Sequence, residues 1–562
     1  MKEETFSGTI SLVNIRNGGM LMRKVTVYLM VFIFLLSVAL SGCSSKTQQN
    51  SANQEDKKQV LRLNLGEEPP RLDPQTTTDG VSFQVLNAVL EGLVRLGPDE
   101  KPQKGSGLAK DWKISEDGLH YTFYLKDNIY WSDGNPITAY DFEYSWKRAL
   151  DPKTASDYAY IMFPIKNAEK YNAGKVTADE VGVKALDDKT LQVDLEAPTP
   201  YFLSLTAFVT YFPLEKSFVE KVGDKLATTP DTLVYSGPFI LKEWNHEQNI
   251  VLVKNDKYWD KDNVKLDEID FDMIKDMNTV AQNFDAGQYD VISVTGDYVE
   301  KYKDKVQIHP NGFTYFLAFN TKNPVFKNEN IRKAFGLSIS RKELTENVLK
   351  DGSFPAYGFV PYGIPGENGE FRKEVGDLFK EDVQKAKELL AKGMKELNIT
   401  TLPRIVLIAD DTDVAKRESQ AIQEFWKKNL GINVELQNVP FKIRLQMYSQ
   451  GQFDVMLTRW GADYNDPMTF LDLWVTQTSG QPNRVFYSNS EYDKLIQQAK
   501  QTNDNKIRME NMKKAEKILM EEMPISPLFF SATAYVQQDY IKGIVRHAVG
   551  VDNDWKWTYI EK

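Results

Sequence analysis

The residues with the clearest chemical potential lie in one stretch, Trp460-Gly461-Ala462-Asp463-Tyr464-Asn465-Asp466-Pro467. It directly follows residues 453–459, whose alternating pattern predicts a strand. The strand is followed by an aromatic residue, a glycine and an acid, with turn-forming residues around them. Such an ending presents a carboxylate and unpaired backbone groups at the edge of a sheet, where a ligand can bind. The alternative is a strand-to-helix turn whose acids only cap a helix that begins near Pro467.

The elements that must position this stretch alternate between strands and helices. Patterning predicts strands at 403–409, 432–439 and 453–459, separated by helices at 414–429 and 441–450. This β-α-β-α-β order indicates an α/β unit with parallel strands. Ligands of such sheets bind beyond the carboxyl ends of the strands, which is where Asp463 lies.

The first half of the chain has shorter alternating segments. They predict further strands at 61–65, 119–126, 181–196, 235–239 and 250–254, and helices at 83–91 and 138–150. The segment from Trp131 to Pro136 is interpreted as a structural turn, because its Gly and polar residues serve a chain reversal. Other tryptophans of this half are expected in the core: Trp112, Trp146 and Trp259.

Length and composition are those of a globular protein of several lobes. The chain has 562 residues, 41% of them hydrophobic and 26% charged, which suggests two to four lobes. Its formal net charge is −10. We therefore do not expect nucleic acid as a partner, since binding phosphate requires a basic face.

The amino terminus has the pattern of a secretion signal. Arg23 and Lys24 precede an apolar run at 25–40, and small residues lead to Cys43, the only cysteine. Residues 1–42 are therefore predicted to be a signal peptide that includes an additional N-terminal extension. The resemblance to a bacterial lipobox implies a lipid on Cys43 that anchors the protein to the membrane. Residues 43–59 are polar and predict a flexible tether.

Motifs of enzymes and cofactor sites are not found in the sequence. His246-Glu247 starts like a zinc-protease motif, but the position that requires a second histidine is Ile250. The segment from Asp410 to Asp413 lacks the glycine and distant glutamate of an EF-hand loop. We predict no catalytic residue, metal or cofactor, and binding is favoured over catalysis. A surface peptidase is the alternative from a different functional class.

Several segments, taken in order, resemble the peptide-binding lipoproteins of bacterial ABC importers, the extracellular solute-binding protein family 5. They are residues 72–74, 117–123, 131–139, 236–239, 255–259, 355–358 and the stretch 460–467. The resemblance implies an α/β fold of the periplasmic-binding-protein type (class II, cluster C), with two ligand-enclosing lobes and an extra lobe. Lobe I would comprise residues 60–92, 218–315 and 531–562, lobe II 93–217, and lobe III 316–530.

The resemblance also implies ligand contacts. Asp463 would pair with the α-ammonium of a peptide through a charge-assisted hydrogen bond. Main-chain contacts are implied for Arg459, Trp460 and Gly461 on one side and for a facing strand of lobe I, Asp79, Gly80 and Val81, on the other. Further ligand contacts are implied at Tyr158 and Phe441. The partner of the ligand carboxylate stays open: Lys416, Arg417 and Lys350 are candidates, although an exposed helix face is the favoured explanation for them.

The expected function is capture of oligopeptides in extended form outside the cell and their delivery to an ABC permease with its ATPase subunits. Main-chain pairing of this kind binds peptides without regard to their sequence. The receptor is expected to be a monomer that encloses its ligand between lobes I and III by hinge closure. Receptors of the same fold for dipeptides, peptide pheromones or metal chelates are the alternatives.

Overall fold

Two strands of thirteen residues, Gln307–Phe319 and Ile525–Gln537, form the centre of the largest sheet. The computed structural model describes residues 58–98, 101–476 and 483–561. The predicted signal peptide, Cys43 and the tether up to residue 57 lie outside these ranges. None of the helices within them is both long and apolar enough to cross a membrane.

The largest sheet has seven strands, one of which ends at Gly461, two residues before Asp463. Its strand order is Phe354–Pro355, Ile525–Gln537, Gln307–Phe319, Val455–Gly461, Val406–Asp410 and Glu435–Val439, with Val291–Val294 also paired to Ile525–Gln537. The strand Val406–Asp410 is parallel to both Glu435–Val439 and Val455–Gly461. The predicted parallel α/β unit is therefore confirmed.

The first four-stranded sheet contains the start of the described chain. Its order is Val60–Asn64, Glu268–Asp272, Asn249–Lys254 and Phe239–Asn245. The predicted strand at 235–239 is wrong in its bounds, because the strand begins only at Phe239. The end of the predicted tether also requires correction, because the backbone carbonyl of Gln59 accepts hydrogen bonds from the amides of Asp267 and Glu268.

The second four-stranded sheet follows the order Ala109–Ile114, His120–Leu125, Thr190–Asp194 and Val183–Asp187. The helix Ala139–Leu150 packs on it and begins with a capping box, in which Thr138 and Asp141 bond each other's backbone. The turn before this helix is closed by a hydrogen bond of 2.8 Å from the amide of Trp131 to the carbonyl of Asn135. Trp131 is fully buried, as a structural role predicts.

Helices cover these sheets, and their amphipathic faces supply most of the remaining core. Those of eight or more residues are Gly80–Val89, Ala139–Leu150, Met277–Asp285, Glu329–Leu337, Val383–Glu396, Asp413–Leu430, Phe441–Ser449, Ser490–Lys500 and Asn505–Glu522. Shorter α-helices are Ala168–Asn172, Phe202–Leu205, Lys216–Val222, Asp297–Lys301, Arg341–Glu343, Phe371–Val375 and Met468–Leu471. Two-residue strands form two further small sheets: Ile541–Lys542 with Tyr559–Ile560, and Val545–Arg546 with Asn553–Asp554.

The helix Gly80–Val89 begins three residues earlier than predicted. Asp79 is its N-cap and accepts hydrogen bonds of 2.8 Å from both the amide and the hydroxyl of Ser82. The prediction that residues 79–81 form a strand is therefore wrong, because Gly80 and Val81 occupy the first turn of the helix. The cap decides the conformation, since an aspartate in extended conformation satisfies amides that the first helical turn leaves unpaired.

Replacing Asp79 with alanine is expected to lower the free energy of unfolding by about 1 kcal/mol, because the helix loses its cap. Denaturant unfolding of the ligand-free protein measures this loss. Asp79→Ser keeps an oxygen at the capping position and is expected to retain most of the stability. Equal losses in both variants would contradict a capping role.

Candidate ligand-binding cleft

A cavity of about 370 Å³ lies at the carboxyl end of the strand Val455–Gly461. Its walls come from five parts of the chain, with Phe313, Phe316 and Gly550 between them. They are residues 70–83, residues 157–160, the helix Phe441–Ser449, residues 458–463, and the side chains of Leu473, Trp474 and Arg484. The volume falls at the small end of the range of about 300–1,000 Å³ that is usual for ligand sites.

Asp463 lies in this wall and is only 9% exposed. Its carboxylate accepts a hydrogen bond of 3.2 Å from the hydroxyl of Tyr158, and its amide donates to the Thr469 hydroxyl at 3.1 Å. Within the described ranges it forms no ion pair. Burial raises the pKa of Asp463 well above its ordinary value, and the hydroxyls of Tyr158 and Tyr160 offset this only in part. The carboxylate therefore lacks a cation.

Aromatic rings hold the groups around Asp463 in place. The ring of Tyr158 stacks on that of Trp460, with centroids 6.1 Å apart and planes inclined by 9°. On its other sides it packs against Phe208 and Phe83. The Trp460 indole donates a hydrogen bond of 3.0 Å to the carbonyl of Thr469. Tyr158 thus fixes both a ring and a hydroxyl at the cleft.

The backbone beside Asp463 has one unpaired edge. On one side, residues 455–461 pair with the strand Gln307–Phe319 along their whole length. On the other side, pairing with Val406–Asp410 involves only Val455 and Met456. From Leu457 to Gly461 no other strand of the described sheet lies on that side. Such an edge can accept an added strand.

Arg459 lies beside a smaller cavity that contains a second buried acid. Its guanidinium is 3.3 Å from the hydroxyl of Tyr315 and 3.9 Å from the carboxylate of Asp410. Glu418 lines the same cavity at 3% exposure, and burial, with Asp351 nearby, raises its pKa to about 8. The floor of the cleft thus has an arginine among several carboxyl groups.

The basic side chains of the cleft differ in their partners. Arg484 pairs with Asp157 at 2.8 Å, and Arg444 pairs with Asp410 at 2.5 Å. Two others, Arg71 and Lys442, have no acidic partner within 4 Å in the described structure.

The three lysine and arginine candidates from the sequence lie elsewhere and contact other groups. Lys350 pairs with Asp297 and Lys416 with Asp413, while Arg417 donates to Thr295. None of the three lines the cavity.

Most of the predicted site residues meet at this cavity. It is lined by Asp463, Trp460, Gly461, Arg459, Asp79, Gly80, Tyr158 and Phe441, whereas Val81 is not part of the lining. Sequence reasoning missed Tyr160 and Arg484. Tyr160 lies two residues after Tyr158 in the short helix Ala159–Met162, and this spacing was the available signal.

The stretch from Trp460 to Pro467 has two interpretations, a ligand-binding carboxylate and a helix cap, and each applies to a different aspartate. Asp466 accepts a hydrogen bond of 3.0 Å from the amide of Met468 at the helix start and pairs with Arg508 at 2.9 Å. Asp466 therefore has a structural role. Asp463 makes no contact with the helix backbone among the described hydrogen bonds and faces the cavity instead.

Comparison with known proteins identifies the family. Residues 105–482 match the bacterial extracellular solute-binding proteins, family 5 Middle. The chain belongs to family 5. A relative in this family, the dipeptide-binding protein DppE of Bacillus subtilis, is 41% identical over 531 residues, which cover 93% of this chain and 97% of DppE. The oligopeptide-binding protein OppA of the same organism is 38% identical and covers the same shares.

A solved structure of a family 5 protein supports the fold. Listeria monocytogenes OppA bound to peptide aligns with a TM-score of 0.85 at 40% identity, over 90% of this chain and all of that one. The predicted periplasmic-binding-protein fold is therefore confirmed.

Proposed function

We propose that this protein is the extracytoplasmic receptor of a bacterial ABC importer and that it binds short peptides in extended form. The observation that carries this proposal is the buried carboxylate of Asp463, which faces the cleft without a cationic partner in the described ranges. A buried charge is unfavourable unless it is paired. The α-ammonium of a peptide supplies the missing cation.

The unpaired backbone edge at residues 457–461 provides the second half of the recognition. A ligand whose ammonium lies at Asp463 can extend along this edge and form main-chain hydrogen bonds. These bonds do not depend on ligand side chains. The cleft therefore accepts many sequences, and the backbones of Asp79 and Gly80 contribute from the opposite wall.

The ligand carboxylate is assigned to the basic side chains that lack an acidic partner. Arg71 and Lys442 are exposed, line the cavity and come from different parts of its wall, residues 70–83 and the helix Phe441–Ser449. A peptide that reaches both would join these two parts through its carboxylate. This assignment replaces Lys350, Lys416 and Arg417.

Closure of the cleft is proposed to follow the predicted lobes. The boundaries at 315/316 and 530/531 fall inside the two thirteen-residue strands, which would then act as the hinge between lobes I and III. A lipid on Cys43 would keep the receptor at the outer face of the membrane, next to the permease and ATPase subunits. The receptor is proposed to act as a monomer and to have no catalytic activity.

The first experiment is native mass spectrometry of the gently purified protein. We expect co-purifying masses that correspond to intact short peptides, which trialanine displaces and N-acetyl-trialanine does not. Blocking the amine removes the charge that Asp463 requires. Cleavage of the bound peptides during incubation would instead indicate a peptidase, and equal displacement by both compounds would contradict the proposal.

A receptor dedicated to dipeptides or peptide pheromones is the second candidate. The cavity volume of about 370 Å³ favours short ligands, and a relative is named a dipeptide-binding protein. Calorimetry with alanine peptides of two to six residues separates the candidates. A single optimum at two residues would favour the dipeptide receptor over the oligopeptide receptor.

A further inference from the structure

The hydroxyl of Tyr160 is a buried polar group without a hydrogen-bond partner in the described structure. The side chain is 6% exposed and lines the cavity. Its ring lies 5.6 Å from that of Tyr158. The hydroxyls of Tyr158 and Tyr160 both point their protons toward Asp463 and lower the pKa of that carboxyl, but only Tyr158 is bonded to it with the geometry of a full hydrogen bond. Tyr160 therefore faces the ammonium position with an oxygen that accepts no hydrogen bond in the described structure.

A buried hydroxyl without a partner destabilises a fold, because it loses its bonds to water. Phenylalanine would fill the same space without this cost. Two unpartnered buried atoms of the described ranges line the cavity, the Tyr160 hydroxyl and the Trp474 indole nitrogen. The indole N–H can only donate a hydrogen bond, whereas a hydroxyl oxygen can also accept one. Only the hydroxyl can therefore bind an ammonium group.

We propose that the Tyr160 hydroxyl accepts a second hydrogen bond from the ligand ammonium, and that Asp463 and Tyr160 together select peptides whose amino terminus has at least two N–H donors. This inference rests on the proposed peptide-binding function. A primary ammonium has three N–H donors, and a single carboxylate oxygen uses only one of them. The Tyr160 hydroxyl accepts its hydrogen bond only when the ligand is bound. It therefore increases the affinity for the ligand and lowers the stability of the ligand-free protein.

This arrangement predicts opposite effects of one substitution on stability and on binding. In Tyr160→Phe, the ligand-free protein is expected to unfold at a temperature about 1–3 °C higher, because the unpaired hydroxyl is gone. Its affinity for trialanine is expected to be about threefold to tenfold weaker, because one neutral hydrogen bond is lost. A purely structural residue would not show this combination.

Tyr258→Phe is the matched control. The Tyr258 hydroxyl is also buried without a hydrogen-bond partner in the described structure, but it does not line the cavity. Its removal is expected to raise the unfolding temperature similarly and to leave the affinity for trialanine unchanged. Calorimetry and thermal unfolding of both variants, after removal of co-purified ligand, provide the comparison.

A second measurement uses the wild-type protein and does not depend on a variant. N,N-dimethyl-trialanine keeps the positive charge but has a single N–H, which Asp463 uses, so none is left for Tyr160. Its affinity is expected to be lower than that of trialanine in the wild type but closer to that of trialanine in Tyr160→Phe. The role of Tyr160 would be overturned, without affecting the proposed function, by either of two results. One is that Tyr160→Phe binds trialanine as tightly as the wild type, and the other is that both proteins prefer trialanine over its dimethylated form to the same degree. Equal wild-type binding of trialanine and its acetylated form would instead overturn the proposed function.

Discussion

Replacing Asp463 with asparagine is expected to weaken the binding of peptides with a free amino terminus at least about tenfold. A charge-assisted hydrogen bond contributes roughly 1.5–3 kcal/mol, and asparagine keeps the shape but removes the charge. The same substitution is expected to stabilise the empty protein, because a buried acid without a cationic partner among the described residues disappears. Calorimetry with trialanine and thermal unfolding measure the two effects.

Asp466→Asn is the control for this experiment. Asp466 lies three residues further along and pairs with the buried Arg508, so its loss is expected to lower stability. It does not line the cavity, and the folded variant is expected to bind trialanine normally. Unchanged affinity of Asp463→Asn would remove Asp463 from the binding site.

The affinity for such peptides is expected to fall as the pH is lowered through the raised pKa of Asp463. Below this pKa the carboxyl of the empty protein holds a proton, which ammonium binding must release. Affinity then decreases by about tenfold per pH unit, until the lower pKa of the bound state is reached. Above about pH 8 the ligand amine loses its own proton, and binding weakens again. Calorimetry across this range yields a bell-shaped dependence.

Other acids near the cleft also titrate in this range, which makes a variant control necessary. Burial raises the pKa of both Asp79 and Asp552 to about 6 and that of Glu418 to about 8. The pH dependence that remains in Asp463→Asn reports these groups, and the difference from the wild type belongs to Asp463. An acid limb of equal slope in both proteins would show that another group controls binding.

The sequence predicted the elements whose signals are local. Residues 403–459 have strand and helix patterns long enough to identify a parallel unit, and the acid at the strand end marked the cleft. The error at residues 79–81 has a physical cause. Asp79 itself has an extended conformation, but the hydrogen bond from the Ser82 amide to its side chain caps a helix that begins at the next residue. Similarity to the sequence of a family does not reveal this change of conformation.

Contacts between distant parts of the chain could not be predicted. The register that places Tyr315 opposite Phe529 joins residues more than 200 positions apart. Likewise, Tyr160 and Asp463 line the same cavity although about 300 positions separate them in the sequence. Neither pairing leaves a periodic signal, since each depends on the relative placement of whole elements. The ion pair between Arg484 and Asp157 has the same origin.

The long strand Ile525–Gln537 also determines when the protein can fold during synthesis. It pairs with Gln307–Phe319, Val291–Val294 and Phe354–Pro355, all of which precede it by some 170 residues or more. At ribosomal rates of about 5–20 residues per second, these partners wait on the order of ten seconds or longer. During that time the nascent chain exposes an apolar strand edge, a surface that promotes aggregation. Chaperone protection is therefore most needed before the last 40 residues emerge.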